Sequence, residues 1–299
     1  MTDRHGPDTG PSVVGVWLRA HPEGLLAGLV ISMALPLALL LVLAPRLEPE
    51  AEPEPEARPR DMVVPRPLPD FAAIDDLSRR KQAFFDYLLP LVEANNARVR
   101  GIRAELLELR GRIEQGAMIG SADWDRVAEL AERYRVAIED DTPLDVALID
   151  RLLRRVDVLP ASLVLAQAAT ESAWGTSRFA RVANNLFGEW CFTEGCGIVP
   201  ARRRAGATHE VEEFASIRDS VDSYFRNLNS HPAYRGVRER RLAARRAGEA
   251  IRGADLAAGL TRYSERGDAY VEELRAIMRF NDLAAHDVGA AVAPSVSGN

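Results

Sequence analysis

Glu171 is the only charged side chain between Asp157 and Arg178, and it follows the run Val158-Leu-Pro-Ala-Ser-Leu-Val-Leu-Ala-Gln-Ala-Ala-Thr. On a helix starting at Pro160, a residue suited to the first helical position, Glu171 shares a face with Val164 and Ala168. A carboxyl group held against apolar neighbours loses hydration of its charged form. Its pKa then rises, and it can hold a proton to donate near neutral pH. A glutamate buried beside an arginine for structure fits the same pattern, so these residues alone leave both readings open.

Other residue types narrow the chemistry. Cys191 and Cys196 are the only cysteines, and in an oxidising compartment they are expected to pair. So short a loop gains only about 2 kcal/mol in the chain-entropy picture, so the bond would chiefly fix the loop's shape. His5, His21, His209, His231 and His286 are scattered, with no pair at ligand spacing, so neither a metal site nor a cofactor is expected. A net charge of −6 gives no reason to invoke nucleic acid. The arginine-rich stretch from Arg235 to Arg252 reads as solvated helix faces.

The elements that must position Glu171 come late in the chain of 299 residues. Residues 24–44 carry no charge, and as a helix they would span roughly 32 Å, which predicts one transmembrane helix that tolerates Pro36. A cleaved signal peptide competes, but the segment is long, a 23-residue leader precedes it, and no small-x-small site follows Ala44. Residues 45–70 alternate prolines with Glu48, Glu50, Glu52, Glu54 and Glu56, as an extended tether would. The predicted order is a cytoplasmic segment at 1–23, the span at 24–44, the linker at 45–70, helices at 71–144, a main domain at 145–283 and a flexible tail at 284–299. Apolar spacing predicts a helix or helix pair over 75–114, then helices over 123–138, 144–156 and 159–174.

Around Glu171 the motifs form a series. Ala166-Gln-Ala-Ala-Thr-Glu171-Ser-Ala-Trp174-Gly175 leads to Asn184-Asn185-Leu-Phe187-Gly188, then to Ser220-Val-Asp-Ser-Tyr224 and a late tyrosine segment. In this order they resemble the glucosaminidase domain of bacterial peptidoglycan hydrolases over residues 145–283. The Trp190-Cys191-Phe-Thr-Glu-Gly-Cys196-Gly197 loop and the run Asn227-Leu-Asn-Ser-His-Pro-Ala-Tyr234 look most like the Bax branch of Gram-negative envelope proteins.

The resemblance implies a mainly α, lysozyme-like helical domain with a small β-hairpin lobe and a cleft for a glycan strand. It makes Glu171 the general acid that protonates the departing glycosidic oxygen. A hairpin glutamate completes the acid pair in related enzymes. Glu210 matches it best, on a strand Thr208 to Phe214 that turns near Ala205 and Gly206. Glu212 shares its face, and plain exposed strand charges are the competing reading. Tyr263 takes the role of the tyrosine that faces the cleft, whereas Tyr270 fits a core anchor. Trp174, Asn184, Asn185, Phe187 and Tyr224 are the expected substrate contacts, although a turn explains paired asparagines and packing explains Tyr224 equally well.

The implied protein is a membrane-anchored hydrolase of β-1,4 bonds next to N-acetylglucosamine in peptidoglycan. Its partners would be glycan strands and, through one helix, the inner membrane, with the catalytic domain in the periplasm. A non-hydrolytic glycan-binding or scaffold module and a lytic transglycosylase are the alternatives.

Overall fold

Asp76 opens the longest element by accepting the Arg79 backbone N–H at 2.7 Å. The computed structural model describes residues 67–287 apart from 140, 202, 204 and 205. The predicted leader and transmembrane helix, nearly all of the linker and most of the tail lie outside the described residues. Among the described residues no helix is long and apolar enough to cross a membrane. By its contacts the chain divides into Met1–Arg60 and Asp61–Asn299, and every described element belongs to the second unit.

The stretch expected as a helix or a pair is one helix, α1 (Leu77–Glu114), with Pro90 inside it. An interior proline removes a hydrogen bond and disfavours a helix. Here Phe84, Phe85, Leu88, Leu91 and Val92 are buried on both sides of Pro90, so packing outweighs the local cost. Next come α2 (Ser121–Arg133) and α3 (Val146–Leu153), each shorter than the apolar spacing suggested.

The central element is α4 (Ala161–Glu171). Pro160 is its N-cap rather than its first helical residue. Every residue from Ala161 to Ala169 is buried, so this helix has no solvated face and the apolar run reflects burial all round. It is followed by α5 (Arg178–Ala183), α6 (Ile217–Ser230), α7 (Arg235–Ala247), α8 (Gly253–Ala257) and α9 (Asp268–Phe280). Around α4 pack α1, α8, α9 and the 3-10 turn Leu283–His286. Gly253 makes one of these contacts possible, since a Cβ there would lie 2.0 Å from Ser162 Oγ.

Between α5 and α6 lies a small antiparallel sheet of β1 (Trp190–Cys191), β2 (Gly197–Ile198) and β3 (Glu210–Glu212), in the order β1-β3-β2. Trp190 stands opposite Val211, and Gly197 opposite Glu212. The expected strand Thr208 to Phe214 is thus three residues long and central, paired on both edges. Gly197 is required there, because a Cβ would lie 2.0 Å from the Val211 carbonyl oxygen. A disulfide joins Cys191 to Cys196 across the loop between β1 and β2.

The arginine-rich stretch corrects the reading of it as solvated, since Arg238 and Arg241 are buried on α7. Arg241 and Arg245 turn towards Asp157, a buried carboxylate in the link between α3 and α4. Arg245 meets it with two hydrogen bonds of 2.6 and 3.0 Å, and Arg103 of α1 and Arg241 stand 3.6 and 3.7 Å away. Burial pushes the Asp157 carboxyl up, but the Arg245 hydrogen bonds and the charges of Arg241 and Arg103 outweigh it, leaving its pKa below the ordinary range. Its stabilisation is therefore complete above the unfolded pKa and fades as pH falls through the lowered folded value. Asp157→Asn leaves the arginines around Asp157 without their carboxylate, and urea unfolding near neutral pH should show a loss of about 3–5 kcal/mol.

Candidate active site

At the C-terminal end of α4 the chain turns sharply. Ser172 is fully buried, donates its hydroxyl to the Ala168 carbonyl at 2.6 Å and accepts the Gly175 N–H at 2.8 Å. Ala173, Trp174 and Gly175 then take positive φ in succession, at 49°, 59° and 76°. Two of the three carry a Cβ, and such backbone persists only where its surroundings hold it. Part of that hold is aromatic: the Trp174 ring meets Phe84 and Phe85 edge-on at 6.1 and 5.3 Å, and the Lys81 ammonium lies 4.8 Å from its centroid. The expected substrate contact Trp174 thus packs this turn onto α1.

Glu171, just before the turn, is partly buried and forms no salt bridge among the described residues. Burial raises its pKa, against the lowering hydrogen bond from Tyr270 and the charge of Arg266. The Tyr270 hydroxyl donates to Glu171 Oε1 at 2.7 Å. Behind it, Gln167 Nε2 donates to the Tyr270 hydroxyl at 2.9 Å, and the Tyr224 hydroxyl donates to Gln167 Oε1. One buried chain of hydrogen bonds therefore ends on one oxygen of the carboxyl. The other oxygen, Oε2, faces Gly188, where a Cβ would sit 3.8 Å away. Glycine suits the backbone there, whose φ is 66°. Of the two readings of Glu171, the arginine-paired structural acid does not describe it; that description belongs to Asp157.

Of the two late tyrosines, the one expected in the core also reaches the carboxyl. Tyr270, read as a core anchor, is buried and also holds the carboxyl. Tyr263, expected to face the cleft, donates its hydroxyl to the Phe187 carbonyl at 2.8 Å and stacks on Tyr270 with centroids 5.7 Å apart. Residues 261–267 form turns and α9 begins only after its N-cap Gly267, whose φ is 55°, so a seven-residue spacing does not put the two tyrosines on one helix face.

Several expected substrate contacts serve the loop instead. Asn184 caps α5 with φ of 51° and donates to the Phe214 carbonyl at 2.9 Å. Asn185 is buried, donates to the Glu189 and Glu212 carbonyls and accepts the Glu189 N–H at 3.0 Å. Phe187 and Tyr224 are buried and stacked, with centroids 4.0 Å apart. Glu210 is buried too, and its carboxylate accepts the Gly195 and Gly197 N–H groups at 3.2 and 2.9 Å. It braces the disulfide loop from within. Cys191, Cys196 and Glu210 bring donor atoms within 4.8 Å of one another, but the sulfurs are bonded together and are not thiolates for a metal.

A second carboxyl with the character of an acid-base group is Glu189, which the motif pattern did not single out. Its Oε2 accepts the Ser223 hydroxyl at 2.8 Å, and its buried Oε1 has no hydrogen-bond partner. Burial, with the charge of Glu212, pushes it up to about 7 despite the Ser223 hydrogen bond. Glu189 and Glu171 together face Tyr234, whose phenol burial and then these two charges push up to about 12. Beside Glu189, Trp190 is exposed and stacks on His209 with centroids 4.1 Å apart, and Phe192 is exposed beyond it. A signal for Gln167 was present, since it stands four residues before Glu171 in an otherwise apolar run. For Glu189 there was none, because its burial depends on α6.

Three comparisons bear on this arrangement. The Glucosaminidase family, described as mannosyl-glycoprotein endo-beta-N-acetylglucosaminidase, matches residues 146–283. The protein named bax of Escherichia coli (strain K12) is 35% identical over 224 residues, which cover 73% of this chain and 77% of that one. No solved structure matches the chain.

The Glu189 environment has a measurable effect on folding. The folded state keeps a proton on Glu189 between the ordinary 4.5 and about 7, where the unfolded chain has lost it. Its contribution to stability therefore falls as pH rises through that window. Glu189→Gln should be roughly 3 kcal/mol more favourable relative to the unaltered chain above that window than below it, as read by urea unfolding at several pH values.

Proposed function

This chain belongs to the glucosaminidase-domain family, among its Bax-like members, and from that premise we propose that it hydrolyses β-1,4 bonds next to N-acetylglucosamine in peptidoglycan, with Glu171 as general acid. The observation that carries the reading is the state of the Glu171 carboxyl. Oε1 is held by Tyr270, burial favours the protonated form, and Oε2, near Gly188, has no hydrogen bond among the described residues. A proton on Oε2 can pass to the glycosidic oxygen as the bond to the anomeric carbon breaks.

The oxocarbenium-like sugar needs support from a second group. Glu189 takes this role in our reading rather than Glu210, because the Glu210 carboxylate is engaged by two backbone N–H groups while Glu189 keeps an unpartnered oxygen. Above about pH 7 Glu189 is ionised and can activate water or balance the developing positive charge. Trp190, exposed beside it, offers an aromatic face for a sugar ring. The uncharged segment at 24–44 and the proline-rich stretch after it are proposed to anchor the domain to the inner membrane and hold it in the periplasm, where a disulfide is stable.

Incubated with purified sacculi, the protein should release reducing ends. Glu171→Gln should lower the rate by about 10²–10⁴-fold with little change in folding. Anhydro sugar ends would make the protein a lytic transglycosylase, and intact strands would make it a binding module. Glu189→Gln should lower kcat and remove the rise in rate towards about pH 7, and an unchanged pH profile would exclude Glu189 from the chemistry.

A further inference from the structure

In a chain with a net charge of −6, one side of α7 is strongly basic. A pocket of about 440 Å³ is lined by Arg135, Arg151, Arg154, Arg155, Arg235 and Arg238. The acid on its wall is Glu239, which is tied to Arg235 at 3.1 Å. The remaining guanidinium groups meet no carboxylate among the described residues. Three of them are set in place by backbone carbonyls instead. Arg155 donates to the Tyr134 and Ser230 carbonyls at 2.9 and 2.6 Å, Arg238 donates to the Leu228 and His231 carbonyls at 2.9 Å each, and Arg151 donates to the Ala137 carbonyl.

Carbonyl oxygens fix a guanidinium without cancelling its charge, so the fold concentrates positive charge here against mutual repulsion. Burial, then the neighbouring charges of Arg155 and Arg241, lower Arg238 to about 10, and burial, then Arg135 and Arg151, lower Arg155. An anion would relieve that repulsion, and a guanidinium offers a carboxylate paired N–H groups.

A second pocket of about 560 Å³ shares Arg235 and Glu239 in its lining and adds Arg240, Thr261 and Arg262. Thr261 and Arg262 directly precede Tyr263, and Arg235 directly follows Tyr234. Those two tyrosine rings lie 5.6 Å apart, and Tyr263 stacks on the Tyr270 that holds Glu171. The basic surface along α7 is thus lined by residues next in sequence to the two tyrosines of the candidate site. Its positive charges are spread along a groove, which fits a flexible ligand with several separate carboxylates better than one compact dianion.

We propose that this arginine groove is a subsite for the carboxylate-bearing peptides attached to the glycan strand, so that the protein favours strands that still carry their peptides. The inference rests on the proposed substrate, but its test reads binding and not cleavage. The full chain carrying Glu171→Gln, in detergent, is titrated with labelled soluble wall fragments bearing peptides and with the same fragments stripped of peptides by an amidase. Peptide-bearing fragments should bind at least about ten-fold more tightly, and free stem peptide should displace them.

Arg135 and Arg154 are exposed and form no ion pair among the described residues, so Arg135→Gln with Arg154→Gln removes charge without breaking such a pair. This double change should remove the preference for peptides and leave binding of stripped fragments as it was. Equal affinity for both fragments would overturn the proposal, as would a preference that survives the double change. Displacement by inorganic phosphate or by anionic lipid vesicles but not by stem peptide would also overturn it, assigning the groove to phosphate groups or to a membrane surface. The displacement arm needs no altered groove residue, so it stands even if the double variant misfolds. A chain that shows the peptide preference yet releases no products from sacculi would defeat the hydrolase reading and leave the groove assignment intact.

Discussion

The buried carboxylate of Asp157 is the constraint around which the helices are arranged. It lies where the chain leaves α3 for α4, and it draws Arg103 from α1 and Arg241 and Arg245 from α7 to one point. Arg241 also donates to the carbonyls of Asp157 and Val158 and to Asn229 Oδ1, while Asn229 donates back to the Asp157 carbonyl. The entry to α4 is thereby fixed from several sides. Asp287 adds a second clasp, accepting the Ser162 N–H and hydroxyl and the Gly253 N–H at 2.8–3.0 Å. With its start held this firmly, α4 can run through the core without a solvated face and deliver Glu171 at its far end.

Asp157 and Glu171 show how one physical cost leads to opposite outcomes. Both carboxyls are taken out of water, which disfavours the charged form of each. Around Asp157 the arginines more than offset that penalty, so the group remains ionised and structural. Around Glu171 a phenol supplies a hydrogen bond but no full positive charge, with Arg266 acting only as a neighbouring charge, so burial prevails. The choice of partner, rather than the depth of burial, separates a structural acid from one suited to holding a proton.

The sequence made the membership of the fold legible because the relevant signals are local. An apolar run with one acid predicts a buried helix ending in a carboxyl, and two cysteines separated by four residues close a loop. The contact of Tyr270 with Glu171 was not legible, because Tyr263 lies among turns and the helix that carries Tyr270 begins only after Gly267. Asn184 and Asn185 look equally apt for sugar or backbone until Phe214 and Glu212 arrive from elsewhere in the chain. The inward-turned arginines did leave a trace: the buried Arg238 and Arg241 and the Asp157-bound Arg245 are spaced three and four apart, which puts them on one face of α7. In a run so rich in arginine that periodicity is hidden among solvated neighbours.

The carboxamide of Gln167 gives the hydrogen-bond chain behind Glu171 a polarity. An amide accepts at one end and donates at the other, so with Tyr224 donating to its oxygen and its nitrogen donating to Tyr270, the next donation runs from Tyr270 to Glu171. Reversing that last bond would require the amide to turn over and both phenolic protons to swing round together. Gln167 is completely enclosed, which opposes such a rotation. The molecule thus distinguishes the two chemically equivalent oxygens of one carboxyl by the orientation of a neutral side chain four residues away.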